Sequence, residues 1–446
     1  DGIDLKPAAD SIPLLGSRPA RLPYRVDRWL RRQDGCFDAI HFPLSGGTAF
    51  YAALAKRQGL SYRRTALWVW VDMPTLGRLA ARGEMPDHPD FVELDFLERH
   101  SLRRADGAVL ASARAAAWCR AERWQFPARC QESPADPSPE RLAAWHGSLQ
   151  AGGRSDAGPV GEPGTPPVSV CLIHHDRPHL LEQAVESLRR QNYPNFEVVL
   201  LDDGSRTPAA RSCLAALEPE FERRGWRIIR QENRYLGAAR NAAAGAARGD
   251  YLLFMDDDDV ARPDELSVFV RAMRNSGADV LTCFMDLFRG DGGPPVETGP
   301  LARVLFLGGA LGPGLFRNLF GNANAFIRRP VFLAGGGFTE DRDLGAEDAE
   351  YLAGAVLAGY RLEVVPEALV WCRVQADSMS RVTDRASNEL RRLRPYKAAV
   401  PPELRSLVDL AYALGRRTQI EGGASREAAA PPAQQSPPPA DKLDES

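Results

Sequence analysis

The chain has 446 residues, of which 44% are hydrophobic and 26% charged, and a formal net charge of −3. That is enough apolar material for two or three domains with buried cores. The near-neutral balance argues against a dedicated nucleic-acid binder. No apolar run reaches the roughly 20 residues that span a bilayer as a helix. The seven cysteines are scattered with no CxxC pair, the pattern of a reduced protein with free thiols. The opening DGIDLKPAAD lacks both an initiator Met and a signal-peptide pattern. The expected location is the cytoplasm, peripheral at the inner membrane face.

Residues 1–23 form a Pro-rich extension without clear patterning. From 24 to 130 an α/β alternation follows. FDAIHF (37–42) reads as a strand, Gly46-Gly47 opens a helix running through Lys56, and ALWVWV (66–71) is a second buried strand. A helix is expected from Phe91 to Ala105, a short strand at 108–110, and a further helix capped by Ser112. His41, alone near a strand end, reads as a structural histidine or a relic ligand. Residues 131–165 are dominated by Pro, Gly and Ser, a linker composition. The tail 421–446 is low-complexity.

The region 166–395 carries the chemistry. VSVCLI (168–173) is a buried strand ended by His174, His175 and Asp176, and Pro178 stands in the first turn of the next helix. FEVVLL (196–201) ends in Asp202-Asp203-Gly204-Ser205, a helix runs from Pro208 to about Glu222, and a strand covers 226–229. Then NRYLGAARNAAAGAARGDYLLFMDDDD (233–259) gives a helix, a glycine break, a strand and four consecutive acids. In open α/β sheets the carboxyl ends of strands are where ligands bind. Carboxylates crowded there repel one another, so without a cation at least one has a raised pKa. Oxygen-only ligands suit Mg²⁺ or Mn²⁺ shared with a substrate diphosphate.

Taken together, PPVSVCLIHHDRP, FEVVLLDDGS, the 233–259 stretch and GAEDAEYLAGAVLAGYRLEVVPEALVWCRV resemble the inverting family 2 glycosyltransferases of GT-A fold, over roughly 210 residues. The resemblance implies an α/β, mostly parallel mixed sheet flanked by helices. Residues 24–130 resemble part of the N-terminal Rossmann-like lobe of a GT-B glycosyltransferase. No second nucleotide-binding lobe follows, so this unit is expected to dimerise or to dock on the catalytic domain (166–395). A C-terminal helix is expected at 396–420.

Residue by residue, the resemblance implies that Ile173 and His175 flank the nucleotide base, with Asp176 also on the donor side. Asp203 would accept the uracil N3–H, which favours a UDP-sugar donor. Arg240 would lie near the donor. Asp256 and Asp258 form the DxD signature, with Asp258 the direct metal ligand and Asp257 on ribose or sugar hydroxyls. Glu347-Asp348 matches the family's ED pair, with Asp348 as catalytic base. Asn322 and Asn324 are expected to border a hydroxyl acceptor, and Trp371 to be core or part of the acceptor wall. Residues 290–314 are expected to form a mobile loop over the donor, and Arg381 to reach the diphosphate. Local roles are open beside these: Asp203 as a cap for the helix near Pro208, Asp348 as an acid at a helix start, His175 as a surface histidine.

Two positions depart from the family pattern. Gln375 stands where relatives often carry a metal-ligating His, and Asn322 where they often carry Asp. They motivate the rival expectation of a catalytically weak sugar-nucleotide-binding or scaffolding subunit. The intact Asp203, DxD and ED set favours a transferase.

Overall fold

The computed structural model describes residues 12–133, 145, 147, 164–375 and 384–427. The chain opens with β1 (Leu14–Gly16) and α1 (Arg21–Arg31). A four-stranded parallel sheet follows, built from β2 (Ala39–Pro43), β3 (Ala66–Trp70), β4 (Gly107–Leu110) and β5 (Arg129–Glu132) in that spatial order. Helices α2 (Phe50–Arg57), α3 (Thr75–Ala81), α4 (Pro89–Arg104) and α5 (Ala113–Ala121) connect its strands. Ser112 caps α5 by accepting the Ala115 N–H, as its position implies.

The second unit begins with β6 (Val168–His174), α6 (Pro178–Arg189), β7 (Phe196–Asp203), α7 (Pro208–Arg224) and β8 (Arg227–Gln231). It continues with α8 (Tyr235–Ala246), β9 (Tyr251–Asp256), β10 (Val260–Ala261), α9 (Glu265–Ser276) and β11 (Val280–Phe288). After these come β12 (Ala302–Leu305), α10 (Leu311–Phe316), β13 (Phe326–Arg328), α11 (Arg329–Ala334), α12 (Glu347–Leu357) and β14 (Leu362–Arg373). Helices α13 (Arg385–Ala399) and α14 (Arg405–Glu427) close the described chain.

These strands form a ten-stranded mixed sheet with the path β1-β12-β11-β13-β9-β6-β7-β8, while β14 pairs with β11 and β10 with β14. β9, β6, β7 and β8 run parallel, so their carboxyl ends share one rim. Each central strand is a continuous apolar run because both faces are covered. Leu181, Val185 and Leu188 of α6 pack with Val170, Leu172 and Leu200 on one face, and Ala239 and Ala243 of α8 with Cys171, Val199 and Phe254 on the other. This is the mixed α/β architecture expected, with the smaller parallel unit before it.

The smaller unit docks on the larger one. Tyr24, Phe50, Tyr51 and Leu97 pack with Phe284, Leu305 and Val364 in one buried cluster, and the Tyr51 hydroxyl donates to the Phe306 carbonyl at 2.8 Å.

Several segments differ from expectation. The extension 1–23 is not wholly irregular, because Leu14–Gly16 adds a parallel edge strand to β12 and α1 starts at Arg21. Residues 290–314 are not one mobile loop: β12 pairs antiparallel with β11, and α10 begins at Leu311. The C-terminal helix is two helices, interrupted at Pro401-Pro402, the second reaching into the expected tail. Most of the linker and residues 428–446 lie outside the described residues. No described helix is long and apolar enough to cross a membrane.

Candidate active site

The rim where β6, β7 and β9 end opens into a cleft of about 760 Å³. β6 brings Ile173 and His175, β7 brings Asp203, β9 brings Asp256 and Asp258, and the start of α12 brings Glu347 and Asp348. Asn322 and Arg240 also line it. Six acidic side chains and three arginines face the cleft, an excess of negative charge in a concave, partly desolvated space.

Two carboxylates here titrate above the usual carboxylate range. Burial, together with the charges of Asp256 and Asp257, raises Asp258 to about 6 against the pull of Arg177. Burial and the adjacent Glu347 raise Asp348 to about 6 against Arg240. Asp259, buried beside Asp258 and Asp256, is pushed well above the usual carboxylate range.

Arg240 ties the two ends of the site together. Its side chain is 1% exposed; one terminal nitrogen donates to both Asp256 oxygens at 2.7 and 3.0 Å, and the other donates to Glu347. The strand-end acid and the acid at the start of α12 therefore share one buried cation. Arg391 performs a parallel service for the segment before α12. It donates to Glu350 at 2.7 Å and to the carbonyls of Leu344 and Thr339 at 3.1 and 2.9 Å. That segment approaches α8 closely enough that a Cβ on Gly237 would meet the Thr339 carbonyl oxygen at 2.2 Å. Asp176, Tyr235, Asp343 and Ala346, all in the segments framing the cleft, hold left-handed backbone with φ of 51–68°. Strain of this kind tends to gather where a site is held open for a ligand.

Asp203 does cap a helix, though not the one expected. Its oxygens accept the N–H groups of Arg234 and Tyr235 at 2.9 and 3.0 Å and the Gln231 amide at 2.7 Å, so it organises the start of α8. The helix near Pro208 is capped instead by Thr207. A carboxylate has about four lone-pair positions, and three donors leave one for a ligand. His175 lies half-exposed beside it, its Nδ1 at 2.8 Å from the Asp203 carbonyl.

Four expected site residues lie elsewhere. Asp257 is fully buried under the rim, 2.6 Å from His174 Nδ1 and paired with Arg177, so its carboxylate does not reach ribose or sugar hydroxyls. Asp176 turns its carboxylate to the Arg206 and Thr207 N–H groups, both at 2.9 Å, and braces the loop before α7 rather than a base. Asn324 is 1% exposed, with its amide oxygen near the Cys283 thiol beneath the cleft floor. Trp371 is core: it packs edge-on to Phe288 and under the Arg262 guanidinium at 4.6 Å. Asp257, Asn324 and Trp371 are drawn inward, and Asp176 is held aside at the surface, by partners that sequence spacing does not reveal. Gln375 is half-buried just beyond the lining residue Val374, and Arg381 falls outside the described residues.

Arg177, Cys372 and Arg373 line the cleft without having been singled out, and Asp259, legible only as the last of four consecutive acids, lines it too. Arg177 lies 3.0 Å from Asp258; its signal was the HHDRP sequence following a strand. Arg373 holds the Gly292 carbonyl at 2.9 Å and the Gln183 amide oxygen at 2.8 Å, tying the segment after β11 to α6. Among the described residues no three His, Cys, Asp or Glu side chains form a ready metal set.

The family described as Glycosyl transferase family 2 matches residues 169–331. ExoO of Rhizobium meliloti, named as a succinoglycan biosynthesis protein, is 30% identical over 234 residues, 49% of this chain and 63% of that protein. EpsH of Bacillus subtilis is 32% identical over 121 residues, 27% of this chain and 33% of that protein. The chain thus covers less than two thirds of either relative. Among solved structures, S. aureus TarS 1-349 in complex with UDP-GlcNAc aligns at TM-score 0.43 and 17% identity, covering 55% of this chain and 71% of that one.

Proposed function

The chain carries a family 2 glycosyltransferase domain, and from that premise we propose that it transfers a sugar from a UDP-sugar to a hydroxyl of a glycan acceptor, with inversion at the anomeric carbon. One observation carries the reading: Asp256 and Asp258 at the end of β9 and Asp348 at the start of α12 open onto the same cleft, with Arg240 bridging Asp256 to Glu347, the neighbour of Asp348.

The uracil N3–H takes the remaining lone-pair position of Asp203, between Ile173 and His175. The donor set fits a hard divalent cation: Asp256 and Asp258 offer oxygen only and would hold Mg²⁺ or Mn²⁺ at the end of β9. When bound, that cation neutralises the charge gathering on the leaving nucleoside diphosphate. Gln375, a neutral side chain, is at most a weak further ligand.

Asp348 acts as general base. Its carboxylate takes the acceptor hydroxyl's proton while the oxygen attacks the anomeric carbon from the face opposite the diphosphate. The glycosidic bond forms as the bond to the diphosphate breaks, and the diphosphate leaves with the electron pair. A pKa near 6 suits the task, being ionised at neutral pH yet basic enough to accept a proton. Arg240 fixes Asp256 and the α12 start so that donor and base keep their separation. Asn322 borders the acceptor side. The name of ExoO favours a polysaccharide acceptor, met in the cytoplasm or at the inner membrane face.

The test is a panel of UDP-, GDP- and dTDP-sugars with Mn²⁺, Mg²⁺ or EDTA, read by nucleotide release and thermal shift. Metal-dependent release of UDP from one donor is expected. Stabilisation by a donor with no release, even with glycan acceptors added, would favour a catalytically weak sugar-nucleotide-binding subunit. No response to any nucleotide would overturn both.

A further inference from the structure

A second concavity, of about 150 Å³, lies at the opposite end of the large sheet, where the C-terminal turns of α2 and α4 meet the start of β14. From Glu363 there to Arg373 in the catalytic cleft, β14 spans ten residues, roughly 33 Å. An occupant of this basal cleft is therefore not the donor.

Its charges do not balance. Arg57, Arg103, Arg104 and Arg361 line it with one carboxylate, Glu363. A single oxygen, Glu363 Oε1, lies 3.5 Å from Arg104 and 3.6 Å from Arg361, so one acid is shared by two guanidinium groups. Arg57 and Arg103 are exposed, and among the described residues neither pairs with a carboxylate. His100, the remaining basic group, accepts a hydrogen bond from Arg104 at Nδ1. Burial and the surrounding arginines hold its pKa well below the usual imidazole value, so it stays neutral. Burial and the charges of Arg103 and Arg57 also draw Arg104 down to about 10. Like charges gathered in a concavity with one shared counter-ion repel one another, and an anion entering it relieves that repulsion. Guanidinium forks match phosphate oxygens in geometry as well as charge.

We propose that Arg57, Arg103, Arg104 and Arg361 form a second binding site for a phosphate-bearing anion, clasped between the small α/β unit and the large one. Arg57, Arg103 and Arg104 come from the small unit and Arg361 from the large, so occupancy strengthens their docking. Free phosphate or diphosphate and the phosphate of an anionic lipid offer the same chemistry.

The experiment uses the full chain in EDTA at constant ionic strength, with sodium pyrophosphate titrated against the melting temperature. Wild type should gain about 2–4 °C at saturating ligand, and Arg57→Ala/Arg103→Ala should lose that gain. Both side chains are exposed, so the variant folds, and its stabilisation by UDP with Mn²⁺ should match wild type. In a parallel arm, the chain is sedimented with phosphatidylcholine vesicles with and without phosphatidic acid. Arginine-dependent sedimentation with phosphatidic acid alone, without a pyrophosphate shift, assigns the site to a lipid phosphate. A pyrophosphate shift retained in the variant overturns the proposal, as does a wild type that responds to neither probe.

Discussion

The described residues form two sheets, a small parallel one and a large mixed one, and only the large one gathers chemistry at its strand ends. In the small unit, β2, β3 and β4 finish in Pro43, Trp70 and Leu110, and the edge strand β5 in an exposed Glu132. In the large unit, β7 and β9 finish in Asp203 and Asp256, and β6 in His174 with His175 beyond it. Both units bury apolar strands between helices. What separates them is a handful of residues at the strand ends and the buried arginines that hold those residues apart. Fold and function are separable to that extent: the small unit contributes a docking face and a basal arginine cluster, the large unit a cleft of acids.

The sharpest way to break the comparison is Asp348→Asn. It should lower the transfer rate about 10²–10⁴-fold, the usual span for a positioned general base, with donor affinity little changed. Because Asp348 must be ionised to accept a proton, the wild-type rate should fall as pH drops through about 6, and the residual rate of the variant should fall less steeply, keeping only the share that Asp258 contributes in the same range. A pH–rate profile of both proteins checks this.

Arg240→Ala comes next. It leaves Asp256 and Glu347 without their shared cation, and breaking a buried ion pair costs about 3–5 kcal/mol. Denaturant melts should record the loss, and turnover should fall with it. An equivalent loss of turnover from a small-unit substitution would erase the distinction between the sheets.

Glu265 sharpens it differently. This fully buried acid at the start of α9 is raised to about 8, chiefly by burial. Its folded-state pKa exceeds the unfolded value, so the native state keeps a proton that the unfolded chain releases. Stability should therefore decline by about 1.4 kcal/mol per pH unit between roughly pH 5 and pH 8 from this group alone. Glu265→Gln should remove that slope, as urea melts across the range would show.

The smallest effect belongs to His41→Ala. His41 Nδ1 accepts the Trp70 indole N–H at 2.9 Å. Losing that bond should cost about 1 kcal/mol while the transfer rate per folded molecule stays at the wild-type value.

Much of the large unit could be read from the sequence, because buried parallel strands are continuous apolar runs and their ends are marked by abrupt polarity: VSVCLI before HHD, FEVVLL before DDGS, YLLFM before DDDD. What one strand cannot announce is which of its terminal side chains faces the cleft. Asp257 alternates away from Asp256 and Asp258 and is captured by His174 and Arg177, 83 and 80 residues distant in sequence. Trp371 turns toward Phe288 and Arg262 for the same reason. Leu14–Gly16 carries too few residues to show a period, and it becomes a strand only because β12 offers an edge. Arg391 was invisible as a positioning group because its partners at Thr339, Leu344 and Glu350 meet it only through the packing of α12 on α13.

The most direct test of the cleft's assignment is calorimetric binding of UDP to wild type, Asp258→Asn and His41→Ala, each with Mn²⁺ and with EDTA. UDP should bind wild type and His41→Ala equally well in Mn²⁺, and weaken sharply in EDTA or in Asp258→Asn. Binding that is indifferent to Asp258 and to the metal would contradict the assignment of the strand-end acids as the donor site.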